Sequence, residues 1–134
     1  MDHNYETDAR DRIADYVRQK WERMTARLLA MLPTNAPPST VKHYAGLPPE
    51  LTDGKDARRE VDATAFFVIE GKPDGVFLYR FNRSGQSVND TWHLSINDAE
   101  HQAACEYEGV VLVWDDVPQS VLDVGEYGLT RNGA

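Results

Sequence analysis

Three side chains in the second half of the chain have the types that bind metals or activate nucleophiles: His93, His101 and Cys105. His101 and Cys105 are four residues apart, which places them on one face of a helix, and His93 stands just ahead of that helix. Three such ligands could hold zinc and leave a fourth position open. The spacing lacks the paired cysteines of a zinc signature, and a solitary cysteine on a helix commonly packs as a small apolar group. The same trio could pair a cysteine with a histidine base, yet no third orienting group or oxyanion hole accompanies it. The reading is no catalytic residue, no cofactor and no metal, with His93, His101 and Cys105 the side chains a metal would need.

Carboxylates are the second chemical resource. Asp115 and Asp116, with Glu106 and Glu108, could form an acid/base pair or a cation site, but adjacent residues in an extended chain point apart. A solvated acidic edge suits them better. The overall charge of −8 is unevenly placed: residues 1–89 hold thirteen basic and thirteen acidic side chains, whereas 90–134 hold Arg131 against nine acids. A field of that sign repels nucleic acid and anionic lipid and speeds encounter with a basic protein. Asp98, Glu100, Glu106, Glu108, Asp115 and Asp116 are accordingly the residues expected to bind a partner. No glycine-rich phosphate loop or basic aromatic stripe is present.

Length and composition bound the frame that must carry these groups. A chain of 134 residues, 41% apolar with thirteen aromatic side chains, fits one domain with a conventional core. One cysteine cannot form an internal disulfide, so a reducing, cytoplasmic setting is expected. Residues 1–30 carry charges throughout, without the apolar run of a signal peptide, and no segment approaches the roughly 20 apolar residues of a membrane span.

The elements follow from periodicity. Ile13, Val17, Trp21, Met24, Leu28 and Met31 recur at steps of three and four, which predicts a long helix from Asn4 or Thr7 to Leu32, stopped by Pro33. Residues 33–60, with five prolines, read as an irregular connector with a helical turn near Asp53–Glu60, and as a secondary candidate for a contact surface. Thr64–Glu70 and Val76–Phe81 form a hairpin about Gly71–Gly75, and Gln86–Leu94 alternates as a third strand. Ser95 caps a second helix that runs to Glu108, with Ile96, Ala99, Ala103 and Tyr107 on its inner line. Val110–Trp114 reads as a fourth short strand, Asp115–Val124 as a last turn, and 125–134 as a frayed tail. Trp92 and Trp114 bracket the second helix as core residues, with an interface role as the alternative.

The expected class is thus α+β in α-β-β-β-α order: helix 1–32, connector 33–60, and sheet plus helix over 61–124, in a meander of three to four antiparallel strands. Asp90-Thr-Trp-His-Leu-Ser-Ile-Asn-Asp-Ala99, Gln102-Ala103, Glu106-Tyr107, Trp114 and Val117-Pro118 make up a segment of about 30 residues. It resembles one in small uncharacterised bacterial proteins, some of them similar to immunity proteins of toxin systems. That resemblance implies a strand, a capped helix and a returning tryptophan, and a role in neutralising a basic toxin domain; it carries over no catalytic residue. The expected function is a non-catalytic acidic protein-binding protein. The alternatives are a small metal-dependent or acid/base enzyme on His93, His101 and Cys105, and a regulatory or scaffold protein unrelated to toxins.

Overall fold

A computed structural model of the chain describes residues 10–14, 26–45, 49–51, 53–54 and 58–132. Residues 10–14 are helical (α1). The strands are β1 (Arg27–Met31), β2 (Tyr44–Ala45), β3 (Arg59–Glu60), β4 (Phe66–Lys72), β5 (Gly75–Phe81), β6 (Ser87–His93) and β7 (Asp115–Asp116). Two further helices are α2 (Ile96–Glu106) and α3 (Val124–Asn132), and Pro49–Leu51 make a single 3-10 turn. Five strands join in the order β6-β5-β4-β1-β7, every neighbour antiparallel, and β2 pairs with β3 apart from them.

The sheet is covered on both faces. Phe67, Ile69, Val76 and Leu78 meet Ala99, Ala103 and Tyr107 of α2 on one side. Phe66, Val68, Leu29 and Phe81 meet Val124, Tyr127 and Leu129 of α3 on the other. Successive residues of β4 therefore enter opposite cores, and Phe66–Ile69 are all fully buried. Small residues set the spacing: Ala99 and Ala103 bring α2 close to the sheet. A Cβ on Gly128 would lie 2.3 Å from the Phe66 ring, so at that position the backbone of α3 lies directly on the ring. At the β4–β5 turn Gly75 has φ +156°, and a Cβ there would fall 2.1 Å from the Trp92 indole nitrogen.

The expected first helix does not extend to Leu32, and the α-β-β-β-α order is overturned, because a strand at 27–31 joins a five-stranded sheet ahead of the hairpin. Arg27–Met31 is a strand paired with β4 from Arg27↔Glu70 to Met31↔Phe66. Leu28 and Met31, two members of the expected helical stripe, point to opposite cores, and Ile13, a third, is 63% exposed. Val17, Trp21 and Met24 lie outside the described residues. The physical reason is the run Leu28-Leu-Ala-Met-Leu32: a strand buried on both faces is apolar at every position, and such a run also satisfies helical spacing. Arg27 reinforces the strand, since its Nη2 donates to Pro118 O (2.7 Å) and Val121 O (2.9 Å), tying β1 to the chain after β7.

Three smaller expectations also change. Arg59–Glu60 pair with Tyr44–Ala45 where a helical turn was expected, and residues 55–57 of that turn lie outside the described set. Val110–Trp114 belongs to no ladder among the described residues; the returning strand is Asp115–Asp116, beside β1. Residues 125–132 of the expected frayed tail belong to α3, capped by Asp123, whose Oδ1 accepts from Glu126 N at 3.1 Å, and 133–134 lie outside the described residues. The hairpin, the third strand and α2 fall where their patterns place them, and Ser95 Oγ accepts from Asp98 N (3.1 Å) as an N-cap.

Candidate functional site

The six acids expected to meet a partner divide into three groups. Asp98 is exposed and Glu100 half-exposed in the first turns of α2. Glu108, Asp115 and Asp116 are exposed beyond its other end, with the intervening chain between them. Glu106 belongs to neither surface group, because its side chain is 1% exposed. As a contact for a partner it is therefore corrected: its carboxylate faces inward.

What it faces is Arg80, itself 0% exposed. Val76, Leu78 and Arg80 share the β5 face under α2, so the alternation that buries two apolar side chains buries a guanidinium third. A charge left alone there would be very costly, and the fork of Arg80 is matched to a carboxylate. Arg80 Nε lies 2.9 Å from Glu106 Oε1 and Nη2 2.5 Å from Oε2. Gln102 Nε2, one turn earlier on α2, donates to Oε2 at 2.8 Å, and His43 Nε2 lies 3.1 Å from Oε1. Burial pushes the Glu106 carboxyl up, but its hydrogen bonds with Arg80, Gln102 and His43 outweigh that, and the net shift is below its ordinary 4.5. Glu106 is ionised at neutral pH.

The far side of Arg80 leads to one of the metal candidates. Both Nη atoms lie 3.3 Å from Thr91 Oγ1, and that hydroxyl is 2.7 Å from His93 Nε2. A hydroxyl accepting from a guanidinium has its own proton to donate, which suits a neutral imidazole. Burial first, and then the charge of Arg80, hold the His93 pKa below its ordinary 6.5. His93 thus ends a line of polar groups running through Thr91, Arg80 and Glu106 to His43.

His101 and Cys105 sit on exposed turns of α2 with Sγ and Nε2 3.5 Å apart. His93 is engaged with Thr91, and no group of three His, Cys, Asp or Glu side chains that could hold a metal forms among the described residues. Trp92 is 50% exposed, its indole donating to Asp74 O at 3.2 Å, whereas Trp114 packs 6.3 Å from the Phe67 ring. The two tryptophans that bracket α2 are therefore unlike, one at the surface and one against the core.

The proline-rich connector is fastened where Glu106 is. Thr40 N donates to Glu106 O (2.8 Å) and Thr40 Oγ1 to Cys105 O (2.8 Å), which satisfies carbonyls at the open end of α2. With His43 on the carboxylate, the connector is latched by backbone and side chain together. A groove of about 390 Å³ lies beside the latch, lined among others by Pro37, Pro38, Lys42, His43, Asp62 and Arg83. Its lining holds both cations and acids, so it offers no field of one sign.

The remaining feature is the exposed stretch from Glu108 to Asp116. Val110, Leu112 and Trp114 pack on the α2-side core, while Val111 and Val113 are 87% and 66% exposed. Glu108 precedes this pair of valines and Asp115 and Asp116 follow it, Asp115 meeting Arg131 Nη2 at 2.9 Å. Apolar side chains flanked by charge at the surface are the composition of a binding patch. Reasoning from sequence located its acids but missed its valines. The signal was available, since alternation that sends Val110, Leu112 and Trp114 inward must send Val111 and Val113 out.

No protein-family model, curated protein or solved structure matches the chain. Among the described residues no helix is long and apolar enough to cross a membrane.

Proposed function

We propose that this chain is a non-catalytic acidic binding protein that acts in the cytoplasm and neutralises a basic protein partner, in the manner of an immunity protein against a toxin domain. The observation that carries the reading is the Glu108–Asp116 stretch, where Val111 and Val113 stand exposed between acids. The valines supply apolar area that gains by leaving water, and the acids supply the field that selects a basic surface. The excess of negative charge after residue 89 adds long-range attraction in the same direction.

The test uses the full chain and the partner that it retains from its native host. Association is followed by stopped flow at low and high salt for the wild type and for a Glu108→Gln, Asp115→Asn, Asp116→Asn variant. The variant is expected to associate more slowly at low salt, and added salt to slow the wild type more than the variant. An on-rate unchanged by the three substitutions would leave the acids as a solubility device.

A further inference from the structure

The same stretch has the side-chain order of a strand and, among the described residues, no strand paired with it. From Val110 to Trp114 exposure alternates at each residue, with positions 110, 112 and 114 partly buried against the core and 111 and 113 in solvent. That period of two belongs to extended backbone. Among the described residues, however, no ladder forms along 110–114, and pairing with β1 begins only at Asp115 opposite Leu29. Backbone donors and acceptors in an extended, unladdered segment are a template for another strand.

We infer that residues 110–114 take up an extended segment of the partner by strand addition, the segment carrying apolar side chains for Val111 and Val113 and basic ones for Glu108, Asp115 and Asp116. This rests on the reading of the patch as the recognition surface and adds the geometry by which it is read. Charge decides the occupant: a second copy of this chain would bring its own acids against these, whereas a lysine- or arginine-bearing strand is complementary. Five residues of extended chain span about 17 Å, so the segment is short, and side chains on alternate positions supply the specificity. Val111, Val113 and Asp115 fall on one outward row, which asks for two apolar residues and then a cation at alternate positions of the incoming strand.

The probe is a capped hexapeptide, Lys-Val-Lys-Val-Lys-Lys, whose second, fourth and sixth positions are Val, Val and Lys, compared with its fully N-methylated analogue. The two share side chains and charge, but the analogue lacks the amide donors a ladder needs. Affinity for the full-length protein is measured by titration, and amide hydrogen exchange reports on residues 111–114. Strand addition predicts saturable binding of the plain peptide, slower exchange at 111–114 when it is bound, and affinity at least tenfold weaker for the analogue. Equal affinity of the two peptides without protection at 111–114, but weakened by neutralising Glu108, Asp115 and Asp116, would overturn strand addition and leave the recognition surface standing. No binding of either peptide, or binding indifferent to those neutralisations, would overturn both.

Discussion

Glu106 and Glu108 stand two residues apart at the end of one helix and live in different solvents. Glu106 is buried against Arg80, Gln102 and His43, and Glu108 is exposed. α2 ends at Glu106, and the chain leaves the helix through Tyr107 (φ −132°, ψ 71°), so Glu108 stands in the turn beyond it with its side chain in water. The same carboxylate is thus a structural anchor at one position and a free charge at the other. Burial and partners decide which role it plays, and residue type alone does not.

The largest effects should come from unbalancing the anchor. Arg80→Ala leaves Glu106 without its fork in a site closed to water, and breaking a buried pair in this way costs about 3–5 kcal/mol. That is a large part of the roughly 5–15 kcal/mol a domain has to lose. Urea unfolding at pH 7 measures it. Replacing both partners together, Arg80→Met with Glu106→Leu, should recover most of the loss, because no unpaired charge remains. A double variant as unstable as the single one would mean the pair contributes more than mutual neutralisation.

A smaller loss is expected where a glycine of α3 lies against the sheet. Gly128→Ala puts a methyl group into the Phe66 ring and should cost about 1–3 kcal/mol as an overpacked contact, read from the same unfolding curves. A neutral result would show that α3 can move away from the sheet without loss.

Part of this arrangement was legible in the sequence, and the failures have separate causes. The hairpin, β6 and α2 have clear turn or cap chemistry at their ends, such as Gly75 and Ser95. The first helix was misread at 27–32 because burial on both faces removes the alternation that marks a strand, and what remains obeys a helical count as well. Glu106 was read as surface because it lies among acids. Yet it falls three residues after Ala103 on the inner line of α2, and Arg80 shares the parity of Val76 and Leu78. Two charges of opposite sign on two faces predicted to meet were the available clue. The latch by Thr40 and His43 had no such sign, because it joins residues more than 60 apart through a connector without periodicity.

Acid should act on the anchor in two stages. His93 has a folded pKa below 6.5, so the unfolded chain binds its proton first, and stability falls as pH drops from about 6.5 through the lower folded value. Glu106, depressed below 4.5, adds a second loss as pH falls through its own folded value. His93→Gln should remove the first stage and keep the second, as pH-dependent urea midpoints would show. A first stage that persists in the variant would assign it to another group.

The smallest effect belongs to the exposed acids. Neutralising Glu108, Asp115 and Asp116 should change stability by less than about 0.5 kcal/mol each, including Asp115 with its surface partner Arg131. A large loss would place the patch among the structural contacts and remove it as a free surface.

The contrast between the two glutamates is tested most directly by removing only the charge from each. Glu106→Gln and Glu108→Gln keep length and shape and are compared by urea unfolding at pH 7 under identical conditions. The account predicts a loss of at least about 2 kcal/mol for Glu106→Gln, which leaves Arg80 buried without a counter-charge, and under about 0.5 kcal/mol for Glu108→Gln. Equal losses in the two variants would contradict it.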